Sequence, residues 1–170
     1  MYRLVARLYL KDVSGLARKV VLERIGFPFT FNSDMFRMSV FRDKSHFNRQ
    51  AAELCLKNNL YAPSVHCSYY SCIQYMLYVL YDKVKMTELS FNEQKTILGT
   101  GTHACAIKLI GIDLIKRERT AYIAFQKLIP ELKQLREKSD YQNIAIGQSE
   151  GHLAMNNSDS IKNILTKNYK

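Results

Sequence analysis

Long apolar runs are missing from this chain. None approaches the ~18 consecutive apolar residues that a membrane-spanning helix needs, so no membrane association is expected. The basic N-terminus does not read as a secretory leader either: Asp12 and Glu23 interrupt its apolar stretches, and no small-residue cleavage site follows. A cytoplasmic location is expected, where Cys55, Cys67, Cys72 and Cys105 stay reduced. Metal-ligand spacing is lacking as well. Cys67 and Cys72 stand five apart in an apolar segment, with no Cys-x-x-Cys and no histidine at ligand spacing, so they read as small buried hydrophobes. Neither a metal nor a cofactor is implied. Proline and glycine are scarce, three and seven in 170 residues, and cluster at a few places, as punctuation does in a helical protein. No convincing strand pair and no internal repeat is present.

What is there fits one domain, with enough apolar residues for a real core. The formal charge of +10 favours a polyanionic partner such as RNA, DNA or an acidic protein, through counterion release and steering. That charge is spread out. Residues 1–37 carry seven Lys/Arg against three Asp/Glu, and the remainder carries eighteen against twelve.

The helical period recurs along the chain. Residues 1–37 form an N-terminal extension, with Leu4, Leu8, Leu16, Val20 and Ile25 spaced as in one or two amphipathic helices. An added helix, a basic arm and an upstream leader before Met38 are all compatible with that pattern. A helix from about Asp43 to Lys57 should turn Phe47, Ala51, Leu54 and Cys55 inward. The next runs from about Tyr61, with Pro63 in its first turn, to Val84. One stripe of it is Val65, Tyr69, Cys72, Met76 and Val79; a second is Tyr70, Leu77 and Tyr81. Ser64, Ser68 and Ser71 make a small-residue stripe that admits a neighbouring backbone. A helix apolar on two sides must be covered on two sides, so it is central to the bundle or shared with a second subunit. Residues 85–102 look less regular and end in Gly99-Thr100-Gly101-Thr102, which reads as a cap for a helix from His103 to about Ile112. It lacks the later Gly-Lys-Ser/Thr of a P-loop. Ala121, Phe125, Leu128, Leu132 and Leu135 form a seam on a helix from about Glu118 to Ser139, with a kink or restart expected at Pro130. A last helix, from about Gln148 to Lys167, carries Leu153, Ile161, Ile164 and Leu165.

Three stretches carry a resemblance when read in order: Ser68-Tyr69-Tyr70-Ser71, then Thr102-His103, then Leu135-Arg136-Glu137-Lys138-Ser139-Asp140-Tyr141. They resemble the HEPN domain (higher eukaryotes and prokaryotes nucleotide-binding), in its small stand-alone prokaryotic form. Its pattern there runs Tyr-Tyr-Ala, Thr-His, Leu-Arg-x-x-Ala-Asp-Tyr. The resemblance covers about residues 41–168, within a bundle domain set at 38–170. It implies an all-α, antiparallel up-and-down bundle of four to five helices, usually a homodimer. Members stand beside nucleotidyltransferase-like partners, in toxin–antitoxin pairs, or act as metal-independent RNases. The RNase members carry Arg, four to six residues, then His at this helix end. Here Arg136 matches the arginine, but Tyr141 stands at the histidine position, no histidine follows until His152, and Arg42–His46 has the wrong spacing on another helix.

That departure bears on chemistry. Taking a proton from a 2′-hydroxyl near neutral pH suits imidazole, whereas a tyrosine hydroxyl of ordinary pKa ~10 is a poor base. Arg136 can still hold a phosphate bidentately, and Asp140, one turn on, can pair with it. In the plainer reading, Arg136–Asp140 is a helix-end ion pair and Tyr141 packs in the seam. Adjacent tyrosines point about 100° apart on a helix, so Tyr69 fills the core while Tyr70 is free to stack on a base. His103 and Lys138 complete the candidate ligand-binding set, with Arg136 and Tyr141 the only catalytic candidates. The expected function is nucleotide, RNA or nucleotidyltransferase-like partner binding, ahead of an RNase toxin and a structural dimer or scaffold.

Overall fold

In the computed structural model, backbone is described for residues 33–170 and side chains from Val40 onward. The three readings of residues 1–37 therefore lie outside the described residues, except that a helix is already under way at Ser33.

That helix, α1 (Ser33–Lys57), begins earlier than the expected Asp43. Its inner face also differs from the expected one. Ser45, Ala52 and Leu56 are buried, whereas Phe47 and Leu54 are exposed. The reason lies in the partner helix, α2 (Tyr61–Tyr78), whose small residues admit a backbone and not bulky side chains. Ser45 Oγ donates to the Ser71 carbonyl at 2.7 Å, Ser71 Oγ returns a bond to the Ser45 carbonyl at 2.8 Å, and Ser64 Oγ donates to the Ala52 carbonyl at 2.9 Å. The serine stripe thus works as its spacing implies, and Ser158 of the last helix donates to the Ser68 carbonyl at 2.8 Å from another side.

Beyond Tyr78 the helix widens into a π turn, Val79–Lys83, closed by the Val84 N–H on the Val79 carbonyl at 2.9 Å. Tyr81 there stacks on Phe41, with centroids 5.6 Å apart, and leans on Phe91 at 5.7 Å. Leu77 is buried as well. The second apolar stripe is thus covered in part within the chain, with Leu77 buried and Tyr70 and Tyr81 half-buried.

Residues 85–102, expected to be irregular, contain α3 (Glu88–Ile97). Thr87 caps it by accepting from the Ser90 N–H. Gly99 ends it at φ 58° as the left-handed residue of a Schellman motif, with its N–H on the Thr96 carbonyl and the Thr100 N–H on that of Lys95. Gly101 then caps α4 (Thr102–Arg117). The Gly-Thr-Gly-Thr run is thus a double punctuation mark, and α4 outlasts the expected Ile112.

The seam helix, α5 (Arg119–Tyr141), runs through Pro130 without interruption, so no restart occurs there. Phe125, Ile129 and Leu132 bury its inner face. The last helix, α6 (Gln148–Asn168), buries Ile161 and Leu165 but leaves Leu153 exposed. Among the described residues there are six helices and no strand, one more helix than expected because of α3. α2 packs on α4, α5 and α6 around a core of Val65, Cys72, Met76, Ile110, Phe125, Leu132 and Leu165. Each such fully buried aliphatic contributes about 1.5–3 kcal/mol. No single described helix is long and apolar enough to cross a membrane; α3 and α4 together meet the test only as a pair bent by 97°.

Candidate functional site

The C-terminal turn of α5 lies beside the first turns of α2, held there by Ser139 Oγ donating to the Ala62 carbonyl at 3.0 Å. This brings together most of the residues singled out in the sequence. Arg136 Nε is 2.7 Å from Asp140 Oδ2, with the two side chains only 16 and 15 % exposed. The Nε–H makes no directed hydrogen bond to that carboxylate, so the contact is ionic. The guanidinium carbon also stands over the rings of Tyr141 at 4.8 Å, Tyr69 at 5.6 Å and Tyr70 at 5.9 Å. Burial works against the charge on Arg136, but the Tyr141 hydroxyl and the Asp140 carboxylate outweigh it and the residue stays cationic. Tyr141 does not pack in a seam: at 71 % exposure it lies across the guanidinium as a lid open to solvent.

The structure adds a residue that the sequence reading passed over. His66 places Nδ1 at 3.0 and 3.1 Å from the two Asp140 oxygens and stacks on Tyr70 with centroids 4.5 Å apart. The signal was available, since His66 and Tyr70 are one turn apart on α2 and share a face. His103 meets Tyr70 edge-on at 5.2 Å, and its Nδ1 is 3.4 Å from the Tyr69 hydroxyl. Burial, and then the positive charge of Arg136, push the His103 pKa down, while burial lifts Tyr69 to about 12. Both shifts favour the neutral forms, a protonated Tyr69 hydroxyl beside an uncharged His103 imidazole.

Lys138 is not brought to this cluster. It pairs with Glu150, which also caps α6 by accepting from the Gly147 N–H at 2.8 Å. Among the described residues no group of three metal-ligating side chains exists.

Beside the cluster a groove of about 740 Å³ runs between α4 and α5, within the ~300–1,000 Å³ of small-molecule sites. Tyr69, His103 and Arg136 line it, together with Gly101 and Thr102 at the start of α4. Gly101 offers no side chain to the first-turn N–H groups, so the positive end of the helix dipole remains uncapped by side chains there. Lys108 and Lys133 also line the groove, although Lys133 pairs with Glu137 at 3.4 Å. Tyr70, Asp140 and Tyr141 stand outside its lining; Asp140 and Tyr141 adjoin it at Arg136, and Tyr70 adjoins it at Arg136, His103 and Tyr69. Chemically, the arrangement offers a fixed cation and backbone donors to an anion, with two imidazoles within the same aromatic cluster. Comparison with family models, curated proteins and solved structures returned no match to this chain.

Proposed function

We propose that the protein binds a phosphate-bearing ligand, a nucleotide or RNA, in the groove between α4 and α5. The observation that carries this reading is Arg136: a permanent cation held by Asp140 and three tyrosine rings at the edge of a groove that also receives the start of α4. A guanidinium fixed in this way has lost its side-chain entropy before the ligand arrives, so a phosphate gains more of the contact energy. The resemblance to HEPN domains, and to their up-and-down bundle, supports the same ligand class. It also admits a nucleotidyltransferase-like protein as partner. Titration of the full chain with nucleotides and short RNA tests the reading: Arg136→Ala should weaken binding by about 1.5–3 kcal/mol. Unchanged affinity in that variant would refute it.

A second reading, metal-independent RNA cleavage, draws on the His66–Asp140 contact. A carboxylate that orients an imidazole is what a general base needs, and it supplies from α2 the imidazole that the Tyr141 position lacks. In that chemistry a 2′-hydroxyl loses its proton to an imidazole and attacks the adjacent phosphorus. The 5′-oxygen leaves with a proton, and a 2′,3′-cyclic phosphate remains. RNA degradation in the presence of a chelator, abolished by His66→Ala, is the expected result of this reading; intact RNA would exclude it.

A further inference from the structure

The groove extends beyond the residues that a phosphate would use. Ala104 and Ile107 from α4 and Ile129 and Pro130 from α5 line it, which is apolar surface with no role in holding an anion. Gln126 lies among them as a solvent-exposed side chain with no hydrogen bond to a described residue, so its amide is open to a ligand. Two features of the local backbone lie beside it. Gly111 leaves room on α4: a Cβ at that position would stand 3.3 Å from Gln126 Nε2 and 3.6 Å from the Tyr122 ring. Pro130, four residues after Gln126, has no N–H, so the Gln126 main-chain carbonyl lacks its helical i+4 donor. One residue therefore presents an amide with two donors and an acceptor, beside a main-chain carbonyl without its i+4 donor, in an apolar groove that ends at Arg136.

We propose that this part of the groove takes an unpaired nucleobase whose edge Gln126 reads, while Arg136 holds the attached phosphate. The inference rests on the phosphate-binding reading above and specifies its ligand. A flat heterocycle covers the apolar lining and offers its edge to the exposed Gln126 amide in place of water, and its phosphate meets the charges of Arg136 and Lys108. An acidic side chain would meet the charge but leave the apolar surface and the amide unused. A base within a duplex cannot present both its face and its pairing edge to such a groove.

The test is calorimetric titration of the full chain, wild type and Gln126→Leu, with AMP, GMP, CMP, UMP, ribose 5-phosphate, a single-stranded trinucleotide and a short RNA duplex. At least one nucleoside monophosphate should bind about tenfold or more tighter than ribose 5-phosphate, from burial of the base face against apolar side chains. Gln126→Leu should abolish the preference among the four bases and leave ribose 5-phosphate binding as it was. A trinucleotide that binds tighter than the best monophosphate assigns the base to RNA, and equal binding assigns it to a free nucleotide; either supports the site. If ribose 5-phosphate matches the nucleotides, phosphate binding survives and base reading is overturned. It is overturned too if the preference persists in Gln126→Leu, or if the duplex binds as tightly as the single strand. If nothing binds, both readings fall together.

Discussion

Asp140 holds the site together, and its removal has a calculable cost. Its carboxylate contacts Arg136 Nε at 2.7 Å and His66 Nδ1 at 3.0 Å, and both members of the Arg136–Asp140 pair are about five-sixths buried. An exposed pair of this spacing contributes only ~0–1 kcal/mol, and breaking a fully buried one costs ~3–5 kcal/mol. Asp140→Ala falls between these limits, at about 2–3 kcal/mol, because Arg136 keeps its charge and its three rings but loses its counter-ion. For a chain of this size that corresponds to a fall in Tm of about 5–10 °C. Asp140→Asn separates stability from function: it removes one negative charge beside Arg136, so phosphate binding should tighten even as the fold weakens. Denaturant unfolding and a parallel ligand titration read the two effects. A stability change below about 0.5 kcal/mol in Asp140→Ala would show the pair to be a screened surface contact, and the preorganised Arg136 would have no basis.

Other consequences can be measured separately. Ser71→Ala removes a buried bond to the Ser45 carbonyl and a contact from Lys162 Nζ at 3.1 Å, and should cost about 1–3 kcal/mol in denaturant unfolding. Gly99→Ala should cost about 1–2 kcal/mol at φ 58°, although open space surrounds the new methyl, so a neutral variant would contradict the Schellman geometry. His103 has its folded-state pKa held below the ordinary 6.5, so its contribution to stability is fully present above that value and lost as pH falls through the folded pKa. Wild type should therefore lose more Tm on acidification than His103→Gln, and parallel curves would refute the burial of a neutral imidazole.

Much of the fold was legible because α2 advertises itself. Its Val65–Tyr69–Cys72–Met76–Val79 stripe and its serines both perform as their spacing implies. The inner face of α1 was misread for a physical reason. Hydrophobicity pointed to Phe47 and Leu54, but helices joined through serine and alanine approach too closely to admit large side chains, so Ser45 and Ala52 go inside. α3 escaped notice because Leu89 and Ile97 leave Phe91 as its only buried residue and no amphipathic stripe remains to be seen. At the site, the Tyr69, Tyr70, His103, Arg136, Asp140 and Tyr141 cluster followed from three short stretches read in order. Lys138 was included on proximity in sequence alone, and on a helix a neighbour two residues away faces elsewhere. The spacing of His66 to Tyr70 was visible but its pairing with Asp140 on α5 was not, and Gln126 gains its meaning only from Gly111 on α4.

A phosphate-bearing ligand held between Arg136 and the start of α4 would leave a mark on both. Amide and guanidinium NMR of the labelled chain during titration with a single-stranded RNA oligomer tests it most directly. The Thr102, His103 and Ala104 amides and the Arg136 Nε–H should shift together and saturate with one affinity, and Arg136→Ala should remove the effect. Shifts confined to α1, α3 or the Lys138–Glu150 region, or shifts at α4 that persist in Arg136→Ala, would contradict it.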